Sequence, residues 1–354
     1  MYRADKDLAF ILRYENVAWY EDGKVRILDR RIYPEKVVFV ECTNHKQVTQ
    51  AITDMVTQSA GPYTAAAMGM ALAAYECRNL PEARQKEYLH NAANTISHAR
   101  PTTVDRMTLI TGACYQAALN AMAEGGNISE AIVEHTMRSN NIRYDKVGLM
   151  ARYLVDMFPE NGKILTQCFG ETIVGMMLKE ARQRGNNLKI YCAETRPYFQ
   201  GARLTASVAR DMGFDVTVIT DNMPAFAIQN EKIDVLTSAA DVVCQDGHIV
   251  NKVGTYQIAI VAQYMGIPYY VTGAPDQGHP TVDTVHIEMR DPEFVLQAMG
   301  VRTAMEGVKG YYPSFDITPP HLVSGVVTDH GIYSPYDLKR YYQSGHTGEY
   351  ACTD

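Results

Sequence analysis

The sequence predicts an α/β protein with a small N-terminal β-meander, a helical bundle after it, and then a Rossmann-like parallel sheet flanked by helices. Three observations carry that expectation. The first forty residues hold short β-branched and aromatic segments separated by turn residues. From about residue 46 to 158 the chain becomes rich in Ala, Met and Leu, with few β-branched runs. Beyond it, short β-branched runs alternate with helical stretches, the pattern of βαβ units with right-handed crossovers.

Each element has a local reason. Ala18-Trp-Tyr, Lys24-Val-Arg-Ile-Leu and Val37-Val-Phe-Val read as strands, separated by Glu21-Asp-Gly and by a turn at Pro34. The helical region breaks near Gly61-Pro62, Leu80-Pro81, Arg100-Pro101 and Gly125-Gly126, which makes about five helices. In the second half, strands are expected at Lys163–Cys168, Leu188–Cys192, Val216–Thr220, Val235–Thr237 and Pro268–Val271. Helices are expected at about 173–184, 201–212 and 254–264, with a short one after Pro224. The change of pattern places a domain boundary within residues 140–160, and we divide the chain into 1–145 and 146–354.

The 354 residues suit about two domains. Thirty-three basic and forty acidic residues give a net charge of −7, which argues against a nucleic-acid partner and leaves small anions open. The longest apolar stretch, Ala65 to Tyr75, has the length of a core helix, so no membrane association is expected. The opening Met-Tyr-Arg-Ala-Asp-Lys-Asp lacks the shape of a signal peptide. Seven cysteines run from Cys42 to Cys352 with no Cys-x-x-Cys pair, which suggests neither a disulfide framework nor a zinc site. The expectation is reduced thiols in a cytoplasm.

Open parallel sheets bind ligands beyond the carboxyl ends of their strands. That rule gathers Cys168, Glu194-Thr-Arg196, Asp221, Asp241, Asn251 and Lys252 at one edge. A thiol, carboxylates, an arginine and a lysine there could move protons and hold an anion. Each also has a plainer reading. A strand-end cysteine is often a small buried hydrophobe, Asp241 could cap the next element, and Arg196 could form a surface ion pair. Lys252, read as a helix start, opposes the helix dipole, which points to an anion nearby. The pair Cys244 and His248 is read as incidental rather than as a metal site. Other chemistries fail on their motifs. Cys168-Phe-Gly-Glu-Thr-Ile-Val-Gly175 does not match Gly-x-Gly-x-x-Gly, and neither a phosphate loop nor a Gly-x-Ser-x-Gly elbow occurs.

Longer motifs carry a resemblance. Glu194-Thr-Arg-Pro-Tyr-Phe-Gln-Gly-Ala-Arg-Leu-Thr205, Ile219-Thr-Asp-Asn-Met223, Asn251-Lys-Val-Gly-Thr-Tyr256, Ile287-Glu-Met-Arg290 and Pro313-Ser-Phe-Asp-Ile-Thr-Pro319 resemble the methylthioribose-1-phosphate isomerase family. That family shares a superfamily with ribose-1,5-bisphosphate isomerase and the regulatory subunits of initiation factor 2B. Arg30-Arg-Ile-Tyr-Pro34 and His98-Ala-Arg-Pro-Thr-Thr103 are similar to two of its earlier elements, so the likeness spans nearly the whole chain. The resemblance implies Cys168 and Asp241 as the catalytic pair. It implies Arg100, Gln200, Asn251 and Lys252 as substrate-holding residues, with Arg196 and Gln58 as additional candidates. It also implies a homodimer that acts on a small sugar phosphate. Three positions depart from the family pattern. Thr57 in Val56-Thr-Gln-Ser-Ala60 stands where the family has an arginine, Phe169 follows Cys168, and Val242 replaces an arginine after Asp241. These smaller or apolar residues imply an apolar C5 group on the substrate, methylthio or methyl, rather than a second phosphate.

The expected reaction is an aldose–ketose isomerisation. It is an internal redox change and needs no metal or nicotinamide cofactor. Because C1 is locked as a glycosyl phosphate, the ring must open before hydrogen moves from C2 to C1. Asp241 is expected to act at the ring oxygen and O2, held protonated by an apolar setting, with Cys168 as the second acid/base. The alternative is a non-catalytic subunit that senses a sugar phosphate or nucleotide.

Overall fold

The structure is a computed structural model that describes residues 2–100 and 103–343. Pro101, Thr102 and Cys352 of the sequence reading lie outside them. The chain divides into two compact units, Met1–Asp145 and Lys146–Asp354.

The first unit opens with helix α1 (Tyr14–Val17) and a three-stranded antiparallel meander of β1 (Ala18–Glu21), β2 (Lys24–Leu28) and β3 (Phe39–Cys42). The β1–β2 hairpin turns on Asp22 (φ 48°) and Gly23 (φ 76°). Two left-handed residues match the twist of the flanking strands, and a Cβ on Gly23 would fall 2.4 Å from the Tyr75 ring. The third strand starts at Phe39 rather than Val37, and Val37 and Val38 are exposed ahead of it. Helices α2 (His45–Thr53), α3 (Gly61–Cys77), α4 (Glu82–Ser97), α5 (Val104–Glu124) and α6 (Ile128–Asp156) form the bundle. Helix α3 is apolar nearly all round and buried along almost its whole length, the mark of a central helix. Around it pack α2, α4, α5 and the meander. Asn44 caps α2 by accepting from the Gln47 N–H at 3.0 Å, and α5 ends at Gly125 in the left-handed conformation.

The second unit holds β4 (Lys163–Thr166), α7 (Thr172–Gln183), β5 (Lys189–Ala193), a π-helical turn (Gly201–Thr205) leading into α8 (Ala206–Asp211), β6 (Asp215–Ile219), α9 (Pro224–Glu231) and β7 (Val235–Ala239). After these come β8 (Val242–Val243), β9 (Ile249–Lys252), α10 (Thr255–Met265), β10 (Tyr269–Thr272), a short antiparallel pair β11 (Gln297–Ala298) and β12 (Val301–Arg302), β13 (Phe315–Thr318), β14 (Gly325–Thr328), β15 (Gly331–Tyr333) and α11 (Lys339–Gln343). The main sheet runs in the order β15-β14-β10-β7-β4-β5-β6. All its pairs are parallel except β14 with β15. Central strands such as β4 and β14 are buried apolar runs, as expected of a parallel sheet covered on both faces.

One element differs from expectation in a way that matters for function. Asn251 and Lys252 end a strand, β9, in a second antiparallel sheet ordered β13-β9-β8. Lys252 does not begin the following helix. The partner strand β13 lies far along the chain, and local periodicity carries no signal for such a pairing.

Candidate active site

The strand order creates one place for a ligand. β4 has β5 and β6 on one side and β7, β10 and β14 on the other, so the chain reverses direction across the sheet between β4 and β7. A crevice opens at such a switch point, outside the carboxyl ends of the two strands. β4 and β7 pair directly, with Thr166 opposite Thr237. Cys168 follows the end of β4 and Asp241 follows the end of β7, each two residues beyond its strand. The thiol and the carboxylate therefore share one edge.

Cys168 is held in a conformation that side chains other than glycine rarely adopt, with φ 62°. Its N–H donates to Thr195 Oγ1 at 3.1 Å, and its carbonyl accepts from Thr205 Oγ1 at 2.5 Å. Both threonines belong to the segment after β5, which clamps the turn. Glu171 (φ 45°), Thr195 (φ 64°) and Phe199 (φ 55°) are also left-handed. Strained backbone gathers where surrounding structure over-determines it, commonly at functional sites. Burial pushes the Cys168 thiol up to about 11; Lys252 opposes that effect, while Asp241 and Asp221 add to it. The thiol is thus neutral near pH 7 rather than a thiolate.

Lys252 is buried at the end of β9. Its Nζ donates to the Ser314 carbonyl at 2.9 Å and lies 4.8 Å from the centre of the Phe315 ring. The helix-dipole argument for this lysine fails, because α10 begins at Thr255 and a carboxylate sits at its N-terminus instead. Asp316 accepts from the Gly254 N–H at 2.6 Å and the Tyr256 N–H at 3.2 Å. Burial pushes the Asp316 carboxyl up to about 6 in spite of those bonds and of Lys252. Asn251 is also buried, and its Nδ2 donates to Thr255 Oγ1 at 3.0 Å.

Gln200 stands at the start of the π-helical turn, buried, with Oε1 unpartnered. Its position depends on Gly201, where a Cβ would lie 1.8 Å from the Ala193 carbonyl oxygen. Arg196 does not form the surface ion pair of its plainer reading; it is half-buried, with Nη1 unpartnered. Its Nη2 donates to the carbonyls of Gln297 (2.7 Å) and Val295 (3.3 Å), and the guanidinium stacks over Phe199 at 5.0 Å. It braces two loops. Asp221 organises the same loop by accepting from the backbone N–H groups of Thr195 (2.8 Å) and Arg196 (2.7 Å).

Asp241 is exposed, so the apolar setting that the sequence reading assigned to it is not what surrounds it. Arg100 and Gln58 belong to the first unit. Arg100 is half-buried just beyond α4, and Gln58 is buried in the loop before α3. Thr57 in that loop is fully buried too. The loop nonetheless holds a cation, because Arg30 is fully buried beneath it, donating from Nη1 to the Gln58 carbonyl at 2.7 Å and from Nη2 to the Ile11 carbonyl at 3.2 Å. Sequence reasoning missed Thr205 and Asp316 as site builders and gave Thr195 no role of its own, although all three lie inside the motifs that carried the resemblance. Among the described residues, no group of three His, Cys, Asp or Glu side chains is arranged to hold a metal ion.

The chain is similar to the methylthioribose-1-phosphate isomerase of Pelotomaculum thermopropionicum, 32% identical over 340 residues that cover 91% of this chain and 92% of that one. It is similar to the 5-deoxyribose 1-phosphate isomerase of Clostridium botulinum, 32% identical over 92% of this chain and 98% of the relative. The crystal structure of 5-methylthioribose 1-phosphate isomerase from Pyrococcus horikoshii OT3 matches with a TM-score of 0.82 at 27% identity, covering 93% of this chain and 96% of that one. The model of the initiation factor 2 subunit family matches residues 57–335. With that match and with relatives about a third identical over nine-tenths of its length, the chain belongs to the initiation factor 2 subunit family.

Proposed function

We propose that the chain is an aldose-1-phosphate isomerase, an intramolecular oxidoreductase that converts a 5-substituted ribose 1-phosphate to the ribulose 1-phosphate. C5 carries a methylthio group or is itself a bare methyl, as the names of the two isomerase relatives suggest. The observation that carries the reading is the thiol–carboxylate pair at the switch point, with Lys252 close enough to act on the thiol.

The reaction is balanced within the substrate. The C1–O4 bond breaks and O4 takes a proton, the hydrogen on C2 moves to C1, and O2 loses its proton as the C2 carbonyl forms. One proton carrier must serve O4 and O2, and a second group must attend the C1–C2 unit. We assign Asp241 to the oxygens and Cys168 to the C1–C2 unit, where it takes the C2 proton as the thiolate and returns it to C1 as the thiol. Lys252, Asn251 and Gln200 are assigned to the phosphate and sugar oxygens, the lysine through charge-assisted hydrogen bonds. Arg100 and Gln58 enter the assignment through their motifs, and Arg196 serves as a brace. Residues 146–354 are taken as the catalytic domain and 1–145 as the helical domain.

Two further parts belong to this reading. Tyr256, Ile260 and Tyr264 are exposed along one stripe of α10, and Phe226 on the neighbouring α9 is exposed as well. That apolar face supports a homodimer, which sedimentation velocity measures. The six cysteines among the described residues are unpaired, which supports a reducing cytoplasm.

A panel of 5-methylthioribose 1-phosphate, 5-deoxyribose 1-phosphate and ribose 1,5-bisphosphate tests the function. The first two should turn over with higher kcat/KM than the third, because an apolar C5 pocket rejects an unpaired charge more strongly than a missing methylene. Preference for the bisphosphate would move the chain to another branch of the superfamily. Binding without turnover across the panel would favour the sensing subunit.

A further inference from the structure

Several buried polar atoms of the second unit have no hydrogen-bond partner, and three of them lie on the segments that hold Cys168 and Lys252: the Tyr312 hydroxyl, Ser314 Oγ and Gln200 Oε1. An unpaired buried polar group keeps the full penalty of leaving water, so native structures rarely leave one without a use. Tyr312 is the most telling. Its side chain is 1% exposed, its ring packs against Tyr198 with centroids 6.3 Å apart, and its carbonyl accepts from the Arg290 N–H at 2.9 Å. Arg290 stands beside the phenol, near enough to act on it by charge and by a weak side-chain contact, and Cys168 is within electrostatic reach, although no well-formed hydrogen bond closes on the hydroxyl. Two residues on, the Ser314 carbonyl holds Lys252. Tyr198 and Gln200 lie on the loop whose Thr195 receives the Cys168 N–H. The phenol is therefore close enough to the thiol for the two to feel each other's charge.

A phenol offers one donor and one acceptor. The positive charge of Arg290 favours the oxygen lone pairs on its side, which leaves the O–H to be given elsewhere. The segments beside it carry a thiol, a lysine and two more unpartnered polar atoms, and no apolar ligand would satisfy them. We propose that Tyr312 is a substrate-contacting residue, its hydroxyl donating to a sugar oxygen that lies against Cys168. The proposal rests on the isomerase reading above for the identity of the sugar. It assigns Tyr312 to recognition of the carbon skeleton near the reacting C1–C2 unit, whereas Lys252 answers to the phosphate.

Tyr312→Phe removes the hydroxyl and keeps the ring. If the residue only fills the core, this change should leave kinetics unaltered and hold or raise Tm, since it deletes an unsatisfied group. If the hydroxyl contacts the sugar, kcat/KM for 5-methylthioribose 1-phosphate and 5-deoxyribose 1-phosphate should fall at least tenfold at unchanged or higher Tm. A second arm does not need turnover. Calorimetric binding of 5-methylthioribose 1-phosphate is compared between Cys168→Ser and Cys168→Ser/Tyr312→Phe, with Asp241→Asn as the alternative inactive background. At least tenfold weaker binding in the double variant supports the assignment even if the wild type proves inactive, in which case the isomerase reading falls alone. Equal binding and equal kcat/KM overturn the Tyr312 assignment and leave that reading standing. A wild type that neither binds nor turns over either sugar phosphate overturns both.

Discussion

Replacing Lys252 by methionine should make Cys168 markedly less reactive. The lysine is buried and is the largest influence opposing the burial that lifts the thiol from its ordinary 9.0 to about 11. A thiol near 11 holds about one thiolate in a thousand at pH 8, against about one in ten for an ordinary thiol. Losing an adjacent cation typically moves such a group by about one unit or more. The thiolate fraction in Lys252→Met should therefore fall about tenfold again. Alkylation by iodoacetamide, followed at Cys168 by peptide mass spectrometry between pH 7 and 11, reads this directly. The wild type should react about a hundredfold more slowly at pH 8 than a small free thiol, and the variant about tenfold more slowly still. The methionine also strips the Ser314 carbonyl of its donor, which costs about 1–3 kcal/mol, so Tm is measured alongside. Alkylation in the variant at the wild-type rate or faster would refute the electrostatic coupling. So would a wild-type midpoint near 9, which would mean that burial does not govern the thiol.

Other outcomes follow from the same geometry. Cys168→Ser and Asp241→Asn should each abolish turnover while Tm stays near the wild-type value, because each changes acid/base capacity at nearly constant volume; near-normal activity removes that residue from the mechanism. Gly201→Ala puts a methyl 1.8 Å from the Ala193 carbonyl oxygen and should cost at least about 1–3 kcal/mol, seen as a lower Tm together with weaker sugar-phosphate binding as Gln200 shifts; an unchanged Tm would show that the turn has room. In the first unit, burial works to raise the Glu76 carboxyl, but hydrogen bonds from the His45 ring, the Tyr88 hydroxyl and the His45 N–H outweigh it and hold it below its usual 4.5. A depressed carboxyl contributes stability above its unfolded value and loses it as pH falls through the folded one. Glu76→Gln should therefore flatten the fall in Tm between pH 5 and 3; an equally steep acid limb in the variant would show that other carboxylates dominate it.

The sequence by itself determined the alternation of elements, because burial on both faces of a parallel sheet demands continuous β-branched runs and a central bundle helix demands Ala and Met all round. Val235–Ala239 and Gly61–Cys77 are legible for those reasons. It also placed Cys168 and Asp241 at strand ends, since a strand's end is a local event marked by the loss of its apolar run. What local pattern could not decide was which strands would be neighbours. The pairing of β4 with β7 brings Cys168 and Asp241 to one edge, and the pairing of β9 with β13 turns Lys252 from a supposed helix start into a strand end beside Ser314 and Phe315. Both pairings join segments far apart in the chain, where the deciding free energy is the burial and hydrogen bonding of one segment against the other rather than any local preference. The setting of each site group was decided there as well. The tertiary structure left Asp241 exposed, buried Lys252 against an aromatic ring, and enclosed the Tyr312 hydroxyl without a partner, since burial belongs to the packed assembly and not to any single stretch of chain.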